Sequence, residues 1–332
     1  MLQFIIKRVL LMIPTLLIVS LISFIIIQLP PGDFLTTYAA FLRETGEKID
    51  NRAIEEMRES YGLDQPVYVQ YWKWLAGIIF RGDFGHSLEW KKKVSALIQD
   101  RMMLTMIVAM GSLLFTYLLA IPIGIYSATH QYSFADYVAT SIGFIGLATP
   151  NFLLALILMF VFYRFFGMSV GGLFSPEFIE APWSIAKVMD LINHLWIPII
   201  VIGTAGTCRL IRVMRGSLLD ELRKQYVITA RAKGVAEKTL LFKYPVRAAL
   251  NPIVSTIGWT LPEIFSGSTI TAIVLNLPTQ GPLLYRALTS QDMYLAGSFL
   301  LILAALTAIG TLLSDIALAW IDPRIRIGKE EA

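Results

Sequence analysis

The residues in this chain whose types and spacing best fit a chemical task are Thr229-Ala230-Arg231-Ala232-Lys233-Gly234. No nucleophile stands beside a base there, so the chemistry on offer is contact. Ala230 and Ala232 leave a slim surface that a partner's backbone can approach closely. Arg231 and Lys233 can reach acidic groups at the rim of a groove. Gly234 permits the left-handed cap that ends a helix. Three arginines upstream, Arg209, Arg212 and Arg215, recur every third residue and so share one helix face. They can brace this segment against a partner or anchor it to anionic lipid.

A second candidate is a single carboxylate. Glu263 follows Pro262 inside an apolar stretch, where a charged residue costs roughly 2.5–3.5 kcal/mol on insertion scales. It must face a cavity or a partner. Pro262, Gly258 and Gly267 around it allow a bent helix with exposed backbone, as a solute path requires. Glu263, Pro262 and Gly267 are therefore candidates for lining such a path, with Glu263 meeting a cationic or hydroxyl-bearing solute. A hydrogen bond accepted by Glu263 from a neighbouring helix is the structural alternative.

The elements that must position these residues are membrane helices. The chain of 332 residues is 56% hydrophobic and 16% charged, with a mean hydropathy of +0.64. A soluble domain carries about a quarter charged residues. Apolar stretches near the ~20 residues needed to cross a bilayer fall at roughly 9–30, 103–127, 136–163, 194–214, 251–275 and 294–321. Lipid cannot satisfy open backbone groups, so these stretches predict six transmembrane helices. Prolines 14, 122, 150, 198 and 262 interrupt or start them.

Lys and Arg near the spans set the orientation. Lys7 and Arg8, ten basic residues between Arg209 and Arg247, and Arg324, Arg326 and Lys329 gather on one side. Both termini are therefore expected in the cytoplasm. The predicted layout is an N-terminal span (1–30), a long extracytoplasmic helical loop (31–102), a core of five spans (103–321) with a cytoplasmic coupling segment at 215–247, and a cytoplasmic tail (322–332). Within the loop, Asp50 or Asn51 is positioned to cap a helix ending near Tyr61-Gly62, and Val67 to Phe80 forms a second helix after Pro66. Trp72 and Trp74 fit an interface belt or the outer cap.

Several classes fall away. The net charge of +4 is small and localised, which does not favour nucleic acid. The single cysteine, Cys208, allows no intrachain disulfide. The only Gly-Lys pair, Gly328-Lys329, is followed by Glu330, so the P-loop pattern is missing and ATP hydrolysis would have to come from another subunit. His86, His130 and His194 show no metal-ligand spacing and are placed as boundary or loop residues, which leaves an intramembrane protease without a buried base. Asp315 is expected to pair with an arginine such as Arg209 or Arg212, and Asp136 begins a helix, where negative charge is favoured.

In order along the chain stand Tyr61-Gly62-Leu63-Asp64-Gln65-Pro66, Gly82-Asp83-Phe84-Gly85-His86-Ser87, His194-Leu195-Trp196-Ile197-Pro198, the arginine triplet, Tyr226 to Gly234 with Asn251-Pro252, and Asp322-Pro323-Arg324. Together they resemble the permease subunit of binding-protein-dependent ABC importers, nearest to the oligopeptide/dipeptide/nickel permease family. The resemblance implies a multi-pass protein of a bacterial or archaeal cytoplasmic membrane, with residues 229–234 as a coupling helix in a cleft of the ATPase subunit. It implies a homologous permease subunit, two ATPase subunits and an extracytoplasmic solute-binding protein as partners. ATP and Mg would be used by the partners, with no cofactor bound by this chain. Ile228 stands where the wider signature has an acidic residue. Ala272 and Pro278-Thr279 depart from the family's acidic residue and Pro-Gly near the outer gate. The solute class implied is oligopeptides, short oligosaccharides or nickel. A self-sufficient secondary transporter or channel remains the competing reading of the residues themselves.

Overall fold

The computed structural model describes residues 2–29, 32–44 and 51–321. Asp50, the Asp322-Pro323-Arg324 motif, and Arg326 and Lys329 lie outside them. Among the described residues the chain is helical, with no strand. In chain order the helices are α1 (Leu2–Gln28), α2 (Phe34–Glu44), α3 (Asn51–Tyr61), α4 (Val67–Arg81), α5 (Val94–Thr129), α6 (Phe134–Ala148), α7 (Asn151–Phe166), α8 (Ile185–Leu222), α9 (Gln225–Ala232), α10 (Glu237–Lys243), α11 (Pro245–Ala249), α12 (Asn251–Gly267), α13 (Thr269–Val274), α14 (Gln280–Thr289) and α15 (Met293–Ile321).

Among the described residues, α1, α5, α8 and α15 are each long and apolar enough to cross a membrane. The stretch expected as a third span, 136–163, is two helices. α6 and α7 meet at a bend of 102°, and they make a fifth span if the pair is one. The cause is local. Pro150 has no N–H to donate and disfavours helical backbone at Thr149, which sits extended at φ −90° and ψ 117°. The stretch 251–275 is likewise two pieces, the 17 residues of α12 and the short α13.

The chain forms two compact units. One holds residues 105–278 and 307–321, and the other residues 2–104 and 279–306. In the first, α5 and α8 pack closely through glycines. A Cβ added at Gly124 would lie 2.6 Å from the Met214 Cβ, and one at Gly203 would lie 2.7 Å from the Phe115 ring. Small residues let backbones approach in this way where lipid offers no hydrophobic drive. Thr116 Oγ1 donates to the Gly203 carbonyl at 3.1 Å, and the Tyr117 hydroxyl shares a 2.9 Å hydrogen bond with Thr256 of α12.

The second unit is centred on Phe24, Tyr71, Trp74, Val94, Leu295 and Phe299, all buried. Its polar anchor is Asp292, fully buried just before α15. The carboxylate accepts from Ser87 Oγ at 2.5 Å and from the backbone N–H of Leu88 at 2.9 Å, fixing the turn after Gly85. α3 ends as expected, with Gly62 at φ +67°.

Candidate coupling site

α8 has 38 residues, about 57 Å of helix, and its final turns carry the basic segment. At its end the chain turns on Lys224, which is extended. Glu221 fixes this corner by accepting from Lys224 Nζ at 2.7 Å and from the Tyr226 hydroxyl at 2.5 Å. α9 then begins and carries the Thr229–Gly234 motif.

α9 has two faces. Val227 is fully buried and Ala230 nearly so, at 9% exposure, and they pack on Leu240 of α10 with Val235 and Tyr244 beside them. Ala230 therefore does not belong to the slim outer surface expected of it. It is small because α10 lies against it. The outer face consists of Tyr226, Ile228, Thr229, Arg231, Ala232 and Lys233. Thr229 turns its hydroxyl back onto the Gln225 carbonyl at 2.8 Å.

The helix ends as the glycine predicted. Gly234 has φ +76°. Its N–H bonds the Arg231 carbonyl at 3.0 Å, and the Val235 N–H reaches the Ala230 carbonyl at 3.3 Å. That five-residue return with an apolar residue behind it is a Schellman closure. No atom lies within 4 Å of where a Gly234 side chain would begin, so the glycine is required by backbone conformation alone.

Arg231 does not wait free for a partner. Its Nε bonds Glu237 Oε1 at 2.6 Å and its Nη2 bonds Oε2 at 3.2 Å, a fork across the Gly234 turn. The guanidinium holds the Glu237 carboxyl below its usual range. Lys233 carries the other cation of the motif and is exposed.

The segment is bolted to the membrane helices through α11. Val246 and Ala249 are buried with Met214 and Leu218 of α8, Ala128 of α5 and Ile253 of α12. A push on α9 thus meets a packed apolar cluster common to three long helices.

The three arginines separate by partner. Arg215 bonds the buried Asp136 through Nε at 3.0 Å and Nη2 at 2.9 Å, and Asp136 also accepts from Ser127. Arg212 lies over the Phe144 ring at 5.8 Å. Arg209 forks onto Glu263 of α12, at 2.7 Å to Oε1 and 3.2 Å to Oε2. Arg209 is thus engaged by Glu263. Both members of the Arg209–Glu263 pair are half-exposed, at 42% and 49%. Pro262 lies within α12, and Gly267 is its last residue.

The sequence reading missed the acids that complete these sites. Asp136 looks like an ordinary first-turn carboxylate, and its bond to a residue 79 positions away leaves no local trace. Glu237 was legible in principle, because a return at Gly234 brings position 237 back over Arg231.

A chain of apolar helices that brackets a short basic surface helix between long ones is built as the membrane component of a larger machine. Residues 120–327 match the model of the family described as "Binding-protein-dependent transport system inner membrane component". Residues 1–109 match its companion, "Binding-prot-dependent transport system membrane comp, N-term". The chain belongs to this family: it is the permease component of a binding-protein-dependent ABC importer and a multi-pass protein of the cytoplasmic membrane.

Relatives align over nearly the whole length. The oligopeptide transport system permease protein AppB of Bacillus subtilis (strain 168) is 37% identical over 327 residues, 98% of this chain and 99% of the relative. The inner membrane ABC transporter permease protein YejB of Escherichia coli O157:H7 is 32% identical, covering 97% of this chain and 98% of the relative. The glutathione transport system permease protein GsiC of Salmonella choleraesuis (strain SC-B67) is 30% identical, covering 98% and 99%.

Proposed function

We propose that this chain forms half of the path for a peptide-class solute and is driven by an ATPase subunit docked on the outer face of α9. The packing of α11 into α8, α5 and α12 carries the proposal, because α9 seats on α10 and α10 leads through Tyr244 alone into α11. Thr229, Arg231, Ala232 and Lys233 form the docking surface, Ala230 seats the helix on α10, and Gly234 closes it. Arg215 braces the coupling region through Asp136. Arg209 acts one level higher, on Glu263.

The proposed topology has six spans, with α6 and α7 as one and α12 and α13 as another. Both termini and the 215–247 segment face the cytoplasm, and most of 31–102 lies outside. The subunits needed to complete it are a homologous permease, two ATPase subunits and an extracytoplasmic binding protein. ATP and Mg are used in the ATPase subunits, since no P-loop occurs in this sequence. The half-exposed Arg209–Glu263 pair is proposed to line the path, because an ion pair open to acyl chains would be costly.

The peptide class rests on the names of the relatives, which transport oligopeptides and glutathione. Ala272 is only 2% exposed, so its departure from the family's acidic residue changes helix packing before it changes a gate surface.

Purification of the chain from membranes should bring down an ATPase subunit, and transport in reconstituted vesicles should collapse in vanadate. Solute movement by the purified chain alone would sink the proposal in favour of a self-sufficient transporter.

A further inference from the structure

We propose that α4 lies in the boundary layer of the bilayer, with Tyr68, Trp72, Ile79 and Phe80 seated against lipid. The sequence places this helix in the extracytoplasmic loop, with Trp72 and Trp74 in an interface belt or an outer cap, and its contacts give its depth. Gln70 meets Gln28 at the end of α1, at 3.2 Å. Trp74 stacks on Phe24 with ring centres 5.7 Å apart. Its indole Nε1 donates to Ser298 Oγ at 3.4 Å, and Ser298 is five residues into α15. The Tyr71 hydroxyl shares a 2.8 Å hydrogen bond with Ser20, which lies eight residues before Gln28, or about 12 Å of helix. Arg8–Gln28 is the membrane-crossing part of α1, at 21 residues, about the thickness of the hydrocarbon core. The inner face of α4 is therefore held below the level at which α1 leaves the membrane.

Whatever fills that depth meets the opposite face of α4. That face is large and apolar, with Tyr68 68% exposed, Trp72 63%, Ile79 60% and Phe80 83%. At 100° per residue, positions 68, 72 and 79 fall within about 40° of one another, and Phe80 adjoins them. Lys73 and Arg81, both exposed, can extend their charges to the headgroups while their stems stay apolar. Tyr and Trp with flanking cations on a short amphipathic helix make an interfacial composition. The side of α1 opposite the one α4 packs on, with Ile22, Ile25 and Ile26 at the same level, is likewise exposed and apolar, as expected of a helix standing in lipid at that depth.

The test uses the assembled transporter in liposomes. Single cysteines at Tyr68, Trp72, Ile79 and Phe80, in a Cys208→Ala background, carry a nitroxide. Collision rates with oxygen and with a water-soluble nickel chelate are then compared. Oxygen should exceed the chelate at all four positions. Higher collision with the chelate would place the face in water, and protection from both would place a protein partner on it; either overturns the proposal. Because Cys208 is buried, a second measurement keeps it. Brominated lipid should quench wild-type tryptophan emission by a clearly larger fraction than in Trp72→Phe, and an equal fraction in both would overturn the proposal.

Discussion

Arg215 and Asp136 are joined by two hydrogen bonds, and the Asp136 side chain is 4% exposed against 28% for the arginine. The same carboxylate accepts from the Tyr132 N–H at 3.0 Å, so one ion pair ties the turn between α5 and α6 to the lower part of α8. Arg215→Ala leaves a buried carboxylate without its counter-ion, a loss that costs about 3–5 kcal/mol where the partner stays charged. The variant should melt well below the wild-type complex in a thermal scan. Asp136→Asn should be milder, since the orphaned arginine is nearer solvent. Equal melting temperatures for wild type and Arg215→Ala would refute this.

Gly234 isolates backbone conformation from packing. Gly234→Ala places a Cβ on a residue at φ +76° with nothing nearby to clash. It should cost about 1–2 kcal/mol, spent on fraying the end of α9. The readout is ATPase stimulation by the solute-loaded binding protein, expected to fall while the amount of assembled complex holds. Gly234→Asn should fall less, because asparagine tolerates the left-handed region better.

The Arg231–Glu237 fork makes two predictions of opposite sign. Glu237→Gln loosens Arg231, and affinity for the ATPase subunit should rise if that subunit offers an acidic rim. Arg231→Ala should lower it. The Glu237 carboxyl is held below its usual range in the folded state, so the fork is present above that range and is lost only as pH falls through it. Coupling measured between about pH 6 and 8 should therefore show no step from this pair.

Asp292 should behave in the opposite sense with pH. Burial pushes its carboxyl above the usual 3.8, against the bonds from Ser87, Glu89, Leu295 and Leu88. A raised folded value means its contribution is fully present below 3.8 and fades as pH rises through the folded value. Asp292→Asn should flatten the decline in stability above pH 4. Ser87→Ala should steepen it, because it removes a donor to the charged form. Unfolding midpoints collected from pH 4 to 7 decide the matter.

For the Arg209–Glu263 pair the expected signature is in transport. Glu263→Gln and Arg209→Gln should each reduce solute uptake while ATPase subunits still co-purify. Unchanged uptake and selectivity in Glu263→Gln at normal expression would remove Glu263 from the path.

Hydropathy and glycine positions carried much of the architecture. α1, α5 and α15 follow directly from apolar runs, and the ends of α3 and α9 follow from Gly62 and Gly234, because a left-handed residue has few alternatives to glycine. The 102° bend at Pro150 was not legible as an angle. A proline can open a new helix or kink an existing one, and only neighbouring contacts decide which. Ala230 was assigned to the wrong face because α9 has only eight residues, too few for its apolar period to show. The bonds from Arg209 and Arg215 join residues 54 and 79 positions apart, and nothing local in either partner's surroundings encodes the other.

α8 has mechanical meaning beyond its length. From Pro198, which breaks the backbone ladder within it, to Leu222 the helix continues for 25 residues, about 36 Å of stiff rod. A tilt of about 10° about the proline would swing the lower end by roughly 6 Å. On the proposed role of α9, a small stroke delivered there would be carried through a single rod whose far end lies at Pro198, with Arg209 partway along it. Travel near Pro198 would be small and would grow toward Leu222, so the Arg209–Glu263 pair would feel only part of the stroke. The length of that lever is set by where one proline falls in one helix.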